Sequence, residues 1–350
     1  MFWKKKTATE NDIRTLVAKA TDAPATVLLQ GGHVLVTLEI DPASAATMEE
    51  QSRHIEKRIA TLPGIASARV ILTAERAPSS APPAAPQKNP PVSLPDIKHI
   101  IAVASGKGGV GKSTVAANLA VALAQSGLRV GILDADIYGP SVPTLFGLRG
   151  QKPVQQDNKI EPLQAHGVAV MSIGLMLDET APLVWRGPMV QSAILQLLRD
   201  VNWGVLDVLV LDMPPGTGDA QLTVAQKLSL SGAVIVSTPQ DIALLDATKG
   251  IEMFRKVNVP ILGLIENMSL FCCPNCGTQS AIFGNGGAQA RAAEMKVPFL
   301  GALPLDPALR AASDAGTPLA GPEFQAIAKK ITAALLSIIP ASAKIQNSAE

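Results

Sequence analysis

Cysteine is nearly missing from this chain of 350 residues: Cys272, Cys273 and Cys276, inside the single stretch FCCPNCG, are all it has. So few thiols in one place exclude a disulfide framework. Aromatic residues are scarce as well, at 3% against 47% hydrophobic residues, so a core must be built from Val, Leu, Ile and Ala. Neither sign of charge dominates. The formal net charge is +1, without the broad basic footprint that a nucleic-acid partner demands. No run approaches the roughly 18 uninterrupted apolar residues of a membrane span. The opening MFWKKKTATEND has a basic cluster but not the apolar stretch of roughly 7–15 residues that a secretory signal needs. These absences predict a soluble, cytoplasmic protein with no nucleic-acid and no membrane partner.

Proline, by contrast, is concentrated. RAPSSAPPAAPQKNPPVSLP, residues 76–95, mixes it with Ala and Ser, a composition that forms neither a helix nor a central strand. A Pro/Ala-rich linker over 76–96 therefore separates a small unit, 1–75, from a large one, 97–338, with a flexible tail at 339–350. In the small unit, NDIRTLVAKATD has a helical pattern. Two β-rich runs, ATVLLQ and HVLVTLEI, follow, joined at Gly31-Gly32, a hairpin signal. A helix around TMEEQSRHIEKRIATL and a strand SARVIL complete an α-β-β-α-β order. The large unit alternates helices with the apolar runs HIIAVAS, RVGILDAD, GVAVMSIG, DVLVLDMP, GAVIVSTP, PILGLIENM and PFLGALP. Near-continuous Val/Ile/Leu strands separated by helices predict an α/β fold, a mainly parallel sheet covered on both faces. Ligands of such sheets bind beyond the carboxyl ends of the strands.

GKGGVGKST, residues 106–114, fits the phosphate-loop pattern through Gly106, Gly111, Lys112 and Ser113. It lies between a strand and a helix, as the motif requires. Backbone amides of Gly106, Lys107, Gly108, Gly109, Val110, Gly111, Lys112, Ser113 and Thr114 are expected to cradle phosphates at the helix N-terminus. Lys112 would neutralise the β- and γ-phosphates of ATP, and the Ser113 hydroxyl would bind Mg2+. Lys107 is a second lysine that the general pattern does not need; taken alone it also fits a solvated charge. In LDADIYGPS, Asp134 and Asp136 end an apolar strand, and in VLVLDMPPGTGD Asp212 stands at another strand tip. Carboxylates so placed order Mg2+ or the attacking water, although each also suits a helix N-cap. Asn267, ending LIENM, could read the nucleotide base, and a turn asparagine is the competing reading.

Cys-Pro-Asn-Cys-Gly is a compact knuckle whose two sulfurs can face one metal, with Gly277 permitting a tight turn. Closed thiolate sites usually use four ligands, and a two-fold axis would supply four from two copies of the loop. An iron–sulfur cluster, a zinc ion between subunits, a redox dithiol and a buried apolar pair all remain open on spacing alone. Cys272 is out of step with the knuckle and is read as a non-ligand, or at most a substitute.

Taken together, SGKGGVGKSTVAANLA, LDADIYGPSVP, VWRGPM, LDMPPGTGDAQLT, STPQDIALLDATKGI, ENMSLFCCPNCG, IFGNGG and LGALPLDP resemble the Mrp/ApbC-type P-loop ATPases. These are relatives of MinD and ParA with a deviant Walker A loop, in which a lysine matching Lys107 contacts the phosphates of the facing subunit. The resemblance implies a homodimer that binds and hydrolyses ATP while carrying a [4Fe–4S] cluster from the assembly machinery to apo iron–sulfur proteins. It implies ATPase roles for Lys107, Lys112, Ser113, Asp136 and Asp212, and cluster ligation by Cys273 and Cys276. The small unit resembles the iron–sulfur-assembly domain that often precedes this ATPase, through LPGIASARVILT. Where members of that family often have a cysteine, this chain has DPASAAT. Two alternatives remain: a MinD/ParA-like positioning switch, and a zinc-bridged dimeric ATPase. A dinitrogenase-reductase-like electron donor would need well-separated cysteines, which this chain lacks.

Overall fold

The computed structural model describes residues 8–30, 33–39, 45–65, 67–73, 94–157, 159–176 and 187–338. The Gly31-Gly32 turn, most of the 76–96 linker, the tail at 339–350 and the first three residues of VWRGPM lie outside the described residues. The chain divides into two compact units, Met1–Lys88 and Asn89–Glu350.

The first unit runs α1 (Glu10–Ala18), β1 (Ala25–Gln30), β2 (His33–Glu39), α2 (Ala45–Ala60) and β3 (Ser67–Thr73). Helix α1 starts at a capping box in which the Thr9 hydroxyl accepts from the Asp12 amide and the Asp12 carboxylate accepts from the Thr9 amide. Such reciprocal bonds satisfy two otherwise orphaned donors. Strands β1 and β2 are antiparallel, and β3 lies parallel to β2. Ile13 and Val17 of α1, Ile55 and Ile59 of α2, and Val27, Val36 and Leu38 of the sheet form its core.

The second unit contains β4 (Ile97–Ala104), α3 (Lys112–Gln125), β5 (Val130–Asp134), α4 (Val142–Leu145), β6 (Gln155–Gln156), β7 (Lys159–Ile160), β8 (Leu163–Ala165) and β9 (Val168–Ser172). It continues with α5 (Gly187–Asp200), β10 (Leu206–Asp212), α6 (Asp219–Lys227), β11 (Gly232–Ser237), α7 (Asp241–Lys256) and β12 (Ile261–Glu266). The last elements are β13 (Phe271–Cys272), β14 (Gln279–Ser280), α8 (Gly287–Glu294), β15 (Phe299–Ala302), α9 (Pro307–Asp314) and α10 (Pro322–Leu336). Its main sheet has the order β15-β12-β11-β4-β10-β5-β9-β8. Every neighbour pair is parallel except β8 with β9. The seven apolar runs become the seven parallel strands. The eighth, Leu-Gln-Ala at the sheet edge, gives no apolar run to read, because it is three residues long and only partly buried.

Alternation along β4 shows how both faces are covered. Ile100 and Ala102 join a core with Val190 and Ile194 of α5, Val224 of α6, Phe254 of α7 and Ala288 of α8. Ile101 and Val103 join the opposite core with Leu119 and Leu123 of α3 and Phe324, Ile327 and Ile331 of α10. Helix α3 is enclosed on all sides: Lys112 and every residue from Val115 to Leu123 are buried. Its many alanines permit this, since a helix between a sheet and another helix needs small side chains.

Candidate functional site

Strand β4 delivers Ser105 to the carboxyl edge of the sheet, where its hydroxyl donates to the Lys107 carbonyl at 2.9 Å. The loop that follows is shaped by close backbone packing. A Cβ on Gly106 would lie 2.1 Å from the Asp246 carbonyl oxygen of α7, and one on Gly111 2.3 Å from Asn267 Nδ2. Gly111 also has φ +80° and caps α3, with no side chain bonded to the first-turn amides. Those free amides and the positive end of a 14-residue helix suit an anion. Gly108 and Gly109 are exposed, as is Lys107, while Val110 is buried and Ser113 and Thr114 are half-buried.

Lys112 lies beneath this loop. Its Nζ donates to Asp212 Oδ1 at 2.5 Å and to Ser113 Oγ at 3.1 Å. Asp212 ends β10 fully buried, and its Oδ2 has no hydrogen-bond partner. Burial raises the Asp212 carboxyl above its ordinary range, while Lys112 and Ser113 pull it down. Asp134, ending the adjacent β5, is also fully buried and pushed up to about 8, by burial first and by the charge of Asp212 second. Its oxygens accept from the amides of Asp136 and Val142 and from the Ser172 hydroxyl, each at 3.1 Å. Asp134 therefore holds the loop after β5 in place. Asp136, two residues on, is half-buried, and burial raises its carboxyl against the pull of Lys112. The structure thus gathers Lys112, Ser113, Asp134, Asp136 and Asp212 at one end of the sheet.

These residues fit a magnesium-bound nucleoside polyphosphate: uncapped helix amides for phosphate, a buried lysine to neutralise it, and an orphaned buried carboxylate oxygen for a hydrated cation. Asn267 sits at this site, but its Nδ2 donates to the Val110 carbonyl of the loop at 2.9 Å, and only 6% of the residue is exposed. The sequence reading missed Glu266. It is fully buried at the end of β12, and its two carboxylate oxygens accept from the amides of Gly286 and Ala288 at 2.9 and 2.8 Å. The same rule that picked out Asp212, an acid after four apolar residues, would have found it.

The cysteines occupy a separate β-hairpin of β13 and β14. The Cys273 amide donates to the Thr278 carbonyl, and the Gly277 amide donates back to the Cys273 carbonyl. Cys276 is exposed and Cys273 partly so. Bonds from Thr278 and from Cys273 lower the Cys276 thiol below its ordinary value, and its Sγ lies 3.2 Å from Thr278 Oγ1. Cys272 turns instead to the Gly277 carbonyl, 3.5 Å away. Among the described residues, no group of three or more His, Cys, Asp or Glu side chains could hold a metal ion. No helix among them is long and apolar enough to cross a membrane.

A phosphate loop between β4 and α3, with buried acids on the neighbouring strand tips, defines a P-loop NTPase of MinD/ParA type. The family described as ParA, the NUBPL iron-transfer P-loop NTPases, matches residues 96–339, and the chain belongs to it. An iron-sulfur cluster carrier protein of Pseudomonas fragi is 53% identical over 268 residues, covering 76% of this chain and 91% of that one. The iron-sulfur cluster transfer protein NUBPL of Mus musculus is 58% identical over 225 residues, or 64% of this chain and 70% of that one. Among solved structures, a nucleotide-binding protein of Archaeoglobus fulgidus in complex with ADP is similar, with a TM-score of 0.59 and 44% identity. That match covers 65% of this chain and 91% of that one. The cell division ATPase MinD of Pyrococcus furiosus shares the fold, with a TM-score of 0.51 and 24% identity over 67% of this chain and 99% of its own.

Proposed function

We propose that the protein is an ATP-hydrolysing carrier that holds a [4Fe–4S] cargo between two copies of itself and passes it to apo iron–sulfur proteins. One observation carries this reading. An exposed hairpin brings Cys273 and Cys276 together, and each chain offers half of the four thiolates that such a cargo usually takes. A two-fold axis at the hairpin completes the set. The names of the relatives in the same family support iron–sulfur cargo over zinc, and they imply acceptor proteins and an assembly system as donor. The small unit, proposed to be an iron–sulfur-assembly-type domain over residues 1–75, has no cysteine. It therefore contributes no thiolate.

At the other site, the amides from Gly106 to Thr114 would hold the phosphates and Lys112 would neutralise them. Ser113 would ligate Mg2+, which supplies charge neutralisation across the phosphates when bound. With Lys112 engaged by phosphate, Asp212 would be free to help hold the cation, and Asp136, whose side chain is the more open, would orient the attacking water. Lys107, exposed on the loop, is free to reach the phosphates of the facing copy.

Protein purified anaerobically after loading with iron and sulfide tests the cargo. Broad visible absorption with about four irons per two chains, lost in Cys273→Ala and Cys276→Ala and kept in Cys272→Ala, is the expected result. A colourless protein holding zinc would end the proposal.

A further inference from the structure

Both ends of the cysteine segment are rooted on the tip of β12, and the same tip grips the phosphate loop. On one side, Asn267 donates to the Val110 carbonyl and fills the space a Cβ on Gly111 would need. The next residue, Met268, has φ +57°, a left-handed conformation uncommon for a bulky side chain, and its Cε also packs beside Gly111. From there the chain runs locked against residues 303–305. The Leu303 amide donates to the Glu266 carbonyl, the Ser269 amide to the Leu303 carbonyl, and the Leu305 amide to the Leu270 carbonyl. Phe271, bridged to Leu305, opens the cysteine hairpin. On the other side, the buried Glu266 carboxylate binds the amides of Gly286 and Ala288, where the segment returns into α8. Residues 270–285 therefore form a lobe with both feet on Glu266, Asn267 and their immediate neighbours. Between those feet the residues are mostly exposed, so the lobe's placement depends on its roots.

We propose that Glu266 and Asn267 are positioning residues that tie the phosphate loop to the Cys273/Cys276 hairpin, so that nucleotide at Lys112 changes how firmly the cysteine lobe is held. The proposal rests on the nucleotide-site reading above. Phosphate binding fixes the loop amides around Val110, which fixes the carbonyl that Asn267 grips. The strained Met268 passes that constraint to the strand leading into the hairpin, and Glu266 holds the far end. A ligand shifts such an equilibrium only through contacts that differ between its states, and the coupling assigns that part to the Asn267–Val110 bond.

Hydrogen exchange by mass spectrometry on the full-length chain, with and without saturating Mg-ADP, tests this. In the unaltered protein, Mg-ADP is expected to protect residues 105–115 and to change exchange across 271–288 by about fivefold, the ratio that one net hydrogen bond supplies. Glu266→Gln, which keeps one acceptor, should retain the protection of 105–115 and lose most of the change across 271–288. Asn267→Ala should lose that distal change as well. A purely structural role would raise exchange equally with and without nucleotide, leaving the ADP-dependent difference intact. That result, or 271–288 unresponsive in the unaltered protein while 105–115 is protected, overturns the coupling and leaves the nucleotide site standing. No protection of 105–115 overturns both. If either variant unfolds, seen as rapid exchange throughout β4 and β10, the other variant and the unaltered protein decide.

Discussion

Lys112 and Asp212 are locked together at 2.5 Å, with 6% and 0% of their side chains exposed. The lysine of the phosphate loop is thus paired, away from solvent, with the acid proposed above to serve a hydrated cation.

Removing one member of a buried ion pair strands the other. Lys112→Ala is therefore expected to abolish ATP hydrolysis and also to lower stability by about 3 kcal/mol, with Asp212 taking up a proton. Asp212→Asn should abolish hydrolysis with a smaller loss, because the amide oxygen still accepts from Lys112 and the carboxyls of Asp134 and Asp136 remain near its charge. Phosphate release and urea unfolding of the two variants check the order. Equal hydrolysis in Lys112→Ala and the unaltered protein would show that the nucleotide site lies elsewhere.

Asp134 gives the folded protein a pH dependence of definite sign. Its carboxyl titrates near 3.8 ordinarily and near 8 in the fold, so between those values the folded state binds a proton that the unfolded state has released. Stability should therefore fall as pH rises through that window, and the fall should end above pH 8. Asp136 and Asp212 are shifted in the same direction and add to the slope. Thermal melts from pH 5 to 9 should show a flatter profile in Asp134→Asn; an unchanged slope would assign the effect to the other acids.

The loop glycines are not equivalent. A Cβ on Gly109 meets nothing within 4 Å, whereas on Gly106 or Gly111 it strikes Asp246 or Asn267. Gly109→Ala should cost only the left-handed backbone penalty, about 1–2 kcal/mol. Gly106→Ala and Gly111→Ala should cost more and weaken ADP binding at least tenfold, about 1.4 kcal/mol of affinity. Calorimetry of all three variants, with and without ADP, measures both effects.

Thr278 faces Cys276, and its bonds are the leading cause of that thiol's lowered titration. Thr278→Val should move the pH midpoint of Cys276 alkylation upward in the metal-free protein and slow the reaction at neutral pH. Alkylation followed by peptide mass spectrometry resolves Cys276 from Cys273 and Cys272. An unmoved midpoint would leave the thiol's setting to the Thr278 backbone and Cys273.

Much of this architecture is legible from residues because its signals are local. Four or more apolar residues running into Asp134 or Asp212 announce a strand tip, and the spacing from Gly106 to Ser113 announces the loop between β4 and α3. Strand β8 is silent, since an edge strand of three half-exposed residues needs no apolar run. The sealing of Asp134 by hydrogen bonds is silent too. It depends on the chain folding back to bring the amide of Val142, eight residues on, and the hydroxyl of Ser172, 38 residues on, to its carboxylate. The bond from Asn267 to Val110 is silent as well, because it spans 157 positions. No pattern within a window of sequence contains such a contact.

Helix α3 leaves no face open to water from Val115 to Leu123. A helix packed so densely on every side can neither slide nor tilt without opening voids. It is the fixed anvil of the molecule, against which the phosphate loop at its head can tighten or relax. Whatever moves when a nucleotide is exchanged must be sought in the loops that lean on α3 from outside, and their displacements can be measured against it as a stationary reference.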